Sequence, residues 1–232
     1  MPVTDPADGK VDFRRTLDAY RAQKGRFRLV DVPDMQYLMI DGRGDPNTAP
    51  AFTGAVEALY PVAYRLKFAS RRELGRDYVV PPLEGLWWAE DMASFTTVRD
   101  KSRWCWTLML MAPDWIGPGM VAAAVAQAGA KRPPGRLDDV RLERLTEGRC
   151  VQTLHVGSFD DEAAVLARLH HEFVPAHGLR LTGTHHQIYL SDFRRVAPDR
   201  RRTILRQPVA ADTRAVGERH GATADGGGRP TR

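Results

Sequence analysis

The chain has 232 residues, 43% of them hydrophobic, with 34 Lys and Arg against 29 Asp and Glu for a formal net charge of +5. That size fits one large domain or two small ones with a substantial core, and the composition excludes a disordered, fibrous or membrane-embedded chain. The positive excess gathers late, in Arg194, Arg195, Arg200, Arg201, Arg202 and Arg206; it reads as a solvated surface, so no nucleic-acid partner is expected.

In chain order, an N-terminal extension over 1–25 is predicted to hold a helix from Asp12 to Ala22, with Phe13, Leu17 and Tyr20 on one face. Two strands follow, Phe27–Val32 and Met35–Ile40, about a turn at Pro33-Asp34. A loop at 41–47 leads to a helix from near Pro50, which Pro61 should kink or break. Tyr78–Val80 and Leu83–Glu90 read as strands around Pro81-Pro82, and Trp104–Met111 as a stronger one. The apolar stretch 107–130 contains Pro113, Asp114 and Pro118, so it falls short of the about 20 apolar residues of a membrane span, and no membrane association is expected. A connector over 116–146 is predicted to carry helices at Pro118–Ala130 and Leu137–Leu145. Then come a strand at Cys150–Val156, a helix at Asp160–His177, a strand at His185–Leu190 and a last extended run at Thr203–Pro208. From 211 to 232 the composition turns to Gly, Ala, Arg and Asp, as in a disordered tail.

Residues 27–111 and 150–208 share the order strand, helix, strand, strand. The expected fold is therefore α+β, with two β-α-β-β units side by side in one pseudo-twofold sheet over 26–210. Helices would cover one face and leave the other as a ligand groove. Two cysteines, Cys105 and Cys150, make no disulfide framework, and no secretory apolar segment opens the chain, which points to the cytoplasm.

Several motifs have plain readings. Gly42 and Gly44 begin like a dinucleotide fingerprint, but Asn47 stands at the third glycine position, which favours a turn. His185 and His186 leave opposite faces of a strand, and His170 and His171 diverge on a helix, so neither pair shares an ion. No metal and no cofactor is expected.

The aromatics carry more. All five tryptophans lie between Trp87 and Trp115. Trp104 and Trp106 share a face, Trp87 and Trp88 point opposite ways, and Glu84 shares the face of Trp88. Ordinary core packing accounts for one such residue less strainedly than for four on neighbouring strands; stacked indoles make a flat apolar slot. Beside them Gln187 and Tyr189 alternate with Ile188 and Leu190. The aliphatic pair should face the helices, leaving an amide and a phenol on the groove floor, as a small-molecule pocket uses.

The segments Leu38–Asn47, Tyr64–Phe68, Asp77–Trp88, Trp104–Met109 and His185–Asp192, with a weaker match at Thr203–Arg206, resemble the GyrI-like small-molecule-binding family, and more closely its cyclopropanoid cyclopropane hydrolase branch. The resemblance spans residues 27–209. It implies SHS2-type units with a groove along their seam and an aromatic cage for flat, often cationic or polycyclic compounds. In the hydrolase branch it implies opening by water of a cyclopropane spiro-fused to a dienone, as in DNA-alkylating antibiotics, and so self-protection. Such a protein takes a small-molecule ligand; its oligomeric state is left open. With about 25 residues ahead of the first strand, a helix-turn-helix regulator is not expected. Candidate ligand-binding residues are Trp87, Trp88, Trp104, Trp106, Tyr189 and His185; candidate catalytic residues are Gln187, Glu84 and Tyr189, the last as donor to the dienone oxygen. The family string usually has Glu where Gln187 stands. An amide is no general base, which leaves three readings: an engineered variant that traps ligand, a natural binder that sequesters it, or an enzyme whose carboxylate comes from Glu84. A scaffold without a ligand is a further alternative.

Overall fold

The computed structural model describes residues 9–90, 100–130 and 134–213. In chain order its main elements are α1 (Phe13–Thr16), β1 (Arg28–Val32), β2 (Met35–Arg43), α2 (Pro50–Leu74), β3 (Leu83–Trp88), β4 (Cys105–Ala112) and α3 (Pro118–Gly129). They continue with β5 (Arg141–Leu145), β6 (Gly148–Val156), α4 (Glu162–Arg168), α5 (Val174–Ala176), β7 (Leu179–Leu181), β8 (His185–Tyr189) and β9 (Arg202–Ala211). The fold is α+β around a nine-stranded antiparallel sheet.

The two-unit plan is visible in the strand order. In the first unit β3, β4 and β2 are neighbours in that order; in the second, β8, β9 and β6 are. The units meet through β3 and β8, with Gly85 opposite Gln187 and Trp87 opposite His185. Only two residues separate β1 from β2, and two separate β5 from β6. These bent strands share one unbroken register, Val32 facing Gly148 and Met35 facing Leu145. Gly148 takes the bend in a left-handed conformation, φ 64°, that glycine adopts without strain. Because β1 pairs with β6 while β2 pairs with β5, the two ends of the sheet are tied together and it curls on itself.

Strand alternation then sorts side chains onto two faces. One carries Trp87, Trp106, His185, Gln187 and Tyr189; the other carries Glu84, His186, Ile188 and Arg206. Both α2 and α4 stand on the first face. Phe52 of α2 stacks on Trp87 at 6.1 Å and meets Trp106 edge-on at 5.2 Å. The second face is closed by the sheet's own curl and by the N-terminal segment, whose Ala19 and Arg21 carbonyls accept from Arg206 and Gln152.

Several expectations are corrected. The groove does not lie on the face away from the helices: Gln187 and Tyr189 do share a face, but it is the helical one, and the cleft opens between α2 and α4. The predicted helix from Asp12 to Ala22 is broken into α1, capped by Asp12, and a 3-10 turn at Asp18–Tyr20, with Leu17 extended between them. Backbone carbonyls there serve the sheet instead of a helix. Pro61 neither breaks nor ends α2, which runs for 25 residues. Buried Phe52, Val56, Leu59, Val62 and Leu66 hold it together, and Arg65 returns a hydrogen bond to the Pro61 carbonyl at 3.1 Å. Leu137–Leu145 is a 3-10 turn followed by β5, because pairing with β2 overrides local helix preference. Tyr78 makes an isolated bridge to Val11 in place of a strand. The helix expected from Asp160 to His177 has a wide π turn at Leu169–Phe173 between α4 and α5. The last strand continues to Ala211, and the tail from 214 lies outside the described residues.

Candidate functional site

A cavity of about 510 Å3 opens over the seam of the two units. Its floor is β8, presenting His185, Gln187 and Tyr189; its walls are aromatic, from Phe52, Trp87, Trp104, Phe159 and Phe193; α4 closes one side with Glu162, Ala163 and Leu166. Period-two alternation brings the three β8 residues together, and the antiparallel register sets Trp87 beside them.

The polar groups form a directed chain. The Trp87 indole N–H donates to the Tyr189 hydroxyl at 3.1 Å. Tyr189 donates to Gln187 Oε1 at 2.8 Å, and Gln187 Nε2 donates to Glu162 Oε2 at 2.6 Å. Gly85 makes room for it: a Cβ there would lie 2.8 Å from the Trp87 indole nitrogen and 3.3 Å from the Tyr189 oxygen. Glu162 is 3% exposed, and its Oε1 makes no hydrogen bond among the described residues. Burial pushes its carboxyl up to about 8, helped by the charge of Asp160 and opposed by the Thr203 hydroxyl and the Gln187 amide. Burial also pushes Tyr189 up, so its hydroxyl keeps its proton.

The structure sorts the predicted site residues. Gln187, Tyr189, His185, Trp87 and Trp104 come together in the cavity, and Trp88, 37% exposed, stands at its rim. Trp106 does not reach it. That indole is fully buried across Gly42, where a Cβ would collide with the ring at 2.0 Å, and its N–H donates to the Gly44 carbonyl at 3.3 Å. The glycines of the supposed nucleotide fingerprint thus seat a tryptophan.

Glu84 is excluded as a source of catalytic carboxylate. It points to the opposite face, fully buried, accepting from the Tyr20 hydroxyl at 2.5 Å with His186 Nε2 at 2.9 Å. His186 Nδ1 lies 2.9 Å from Glu147, which Arg206 grips at 2.7 Å; Arg206 also donates to Gln152 at 3.1 Å. Burial raises Glu147, but the charges and hydrogen bonds of His186 and Arg206 more than offset this and hold it at about 2. This cluster is a structural clamp between the N-terminal segment and the sheet.

The carboxyl that sequence reasoning missed is Glu162. The run Asp160-Asp161-Glu162 reads as a helix start. In the fold Asp161 accepts from the Ser158 hydroxyl at 2.7 Å, Asp160 pairs with Lys101 at 3.2 Å, and Glu162 alone of the three turns inward. A signal was present: Glu162, Ala163, Leu166, Ala167 and His170 form a helical stripe, and all five line the cavity.

An aromatic-walled pocket of this size suits a domain that binds small molecules. Residues 26–210 match the GyrI-like small-molecule-binding domain. The chain belongs to that family. Among solved structures it is similar to an uncharacterized conserved protein from Listeria innocua, at 39% identity and a TM-score of 0.79, with 87% of this chain and all of that one covered. Two structures described as hydrolases from Listeria innocua match with the same coverage, at 37% and 38% identity and TM-scores of 0.76 and 0.78. No curated protein matches the sequence. Among the described residues no helix is long and apolar enough to cross a membrane.

Proposed function

We propose that this GyrI-like protein binds flat, largely apolar molecules between its aromatic walls and opens the cyclopropane of spiro-cyclopropyl dienone alkylators with water, a detoxifying hydrolysis. The observation that carries the reading is the hydrogen-bond chain from Trp87 to Glu162, which ends on a buried carboxyl at the side of the cavity closed by α4. Burial of the ligand faces supplies affinity at about 25 cal/mol per Å2.

In the chemical step the water oxygen bonds to a cyclopropane carbon. The bond from that carbon to the spiro carbon breaks, and its electron pair enters the dienone, which becomes a phenolate. The water proton passes to Glu162 in its ionised form, the minority form at pH 7, and is returned through solvent to the phenolate oxygen. Glu162 is the base, with a raised pKa suited to work near neutrality. Gln187 holds the carboxylate in place, and Tyr189 holds Gln187. The Tyr189 proton is already committed to Gln187, so Tyr189 positions the base instead of bonding the dienone oxygen. Support from outside the chain is the description of its Listeria innocua relatives as hydrolases.

Incubation with a cyclopropane-dienone compound, followed by mass spectrometry, should show the hydrated alcohol. Glu162→Gln should slow its formation about 10²–10⁴-fold while ligand still quenches tryptophan fluorescence. Full turnover by Glu162→Gln would remove the base from this scheme. Quenching without any alcohol would favour the second reading, a sequestering protein, to which the neutral amide of Gln187 lends itself.

A further inference from the structure

His185 has no task in the chain just described, yet it is 8% exposed and lines the cavity; neither ring nitrogen makes a well-formed hydrogen bond among the described residues, although the Arg206 backbone lies within reach of a weaker contact. Its neighbour His186 has a carboxylate at each nitrogen. A buried polar group left unpaired is costly, so a ligand atom that bonds it gains what the protein lacks. The position is informative. His185 lies two residues before Gln187 on the same face of β8, about 7 Å along the strand. That spacing suits the two ends of a para-substituted ring.

Charge around the cavity restricts the ligand further. Lys101 lies over Trp104 and pairs with Asp160; Arg201 lies over Phe159 and donates to the carbonyls of Phe193 and Val196. Among the described residues the acid on the lining is Glu162, buried against the neutral amide of Gln187. The remaining titratable lining groups are His170, His171, His185 and Tyr189. Resting on the reading of this cavity as the ligand site, we propose that His185 is a subsite for the oxygen acceptor of an uncharged aromatic ligand, and that the pocket discriminates against lipophilic cations.

Burial pushes His185 down to about 3, so the ring is a neutral imidazole with one N–H to donate and one lone pair. Burial likewise keeps Glu162 largely protonated at pH 7, its pKa being about 8. A cation entering the cavity meets no full anion among the described lining residues, so cation–π contact with the indole faces is the main stabilisation left to it. An oxygen that gains negative charge as a ring opens meets the His185 N–H and the basic side chains instead.

The test is a titration of the full chain at pH 7, followed by tryptophan fluorescence and calorimetry, with three probes of similar shape: triphenylphosphine oxide, triphenylphosphine and tetraphenylphosphonium chloride. The oxide should bind about tenfold or more tightly than either other probe, the worth of one good hydrogen bond. His185→Leu should cut oxide affinity about tenfold and leave the phosphonium unchanged; Gln187→Glu should raise phosphonium affinity. Equal affinity for oxide and phosphine in the unaltered protein, which needs no variant to fold, would overturn the subsite, as would an indifferent His185→Leu. Phosphonium binding as tight as the oxide would overturn the charge argument. A preference for the oxide without alcohol formation from a dienone sinks the hydrolytic reading alone; binding of no probe sinks the subsite, and with no alcohol formed either it sinks both.

Discussion

His185 and His186 are adjacent on one strand and have opposite fates. His186, on the closed face, sits between Glu84 and Glu147; burial pulls its pKa down, the carboxylates more than offset this, and the net shift is upward. His185, on the helical face, makes no ion pair among the described residues, and burial, helped by the charges of His170 and His186, drives it to about 3 against the weaker pull of Glu147 and the Arg206 backbone. The two sides of the sheet follow the same division. One spends its polar groups on each other and locks the N-terminal segment to both units. The other leaves a carboxyl oxygen and an imidazole unspent in a cavity. Buried ion pairs fill one side of the sheet and the cavity opens on the other, at the same seam between β3 and β8.

That division can be broken by substitution. Arg206→Met should cost about 3–5 kcal/mol, because the buried Glu147 carboxylate loses the guanidinium it pairs with; urea unfolding measures it. A small loss, or a loss of ligand quenching in the folded variant, would mean the two faces are not separate. Glu162→Gln sharpens the contrast through pH. A carboxyl whose folded pKa is raised from 4.5 to about 8 contributes stability below 4.5 that is lost as pH rises through 8. The Gln variant should therefore gain on the parent protein between pH 5 and 9, reaching about 2–4 kcal/mol in thermal or chemical unfolding. Glu147, held at about 2, has the reverse sign: its contribution is full above 4.5 and fades as pH falls through 2. Gly85→Ala should cost about 1–3 kcal/mol by overpacking and displace the Trp87 indole from Tyr189, seen as a shift in tryptophan emission. Trp88→Ala, at the rim, should change stability by less than about 0.5 kcal/mol while weakening ligand quenching.

Much was legible because strands have a period of two and a register. Alternation alone grouped Gln187 with Tyr189 against Ile188, and Glu84 with Trp88 against Trp87, and all of those groupings hold. The order of elements gave the two units. Helix breaks were less legible: Pro61 is carried through α2 by the apolar face beneath it, and the segment 12–22 yields its carbonyls to Arg206 and Gln152, residues far along the chain. Local preference contains no information on either partner.

The sequence by itself determined which side chains share a strand face, that aromatics crowd one stretch of it, and that the chain is built of two like halves, since each follows from spacing along the backbone. Only the tertiary structure decided which face the helices cover, that Trp106 is sealed over Gly42 short of the cavity while Glu84 lies on the closed face, and that Glu162 reaches from α4 to meet Gln187. Those outcomes depend on how a curled sheet closes and which helix lands on it, and such contacts join residues whose separation in sequence carries no periodic trace.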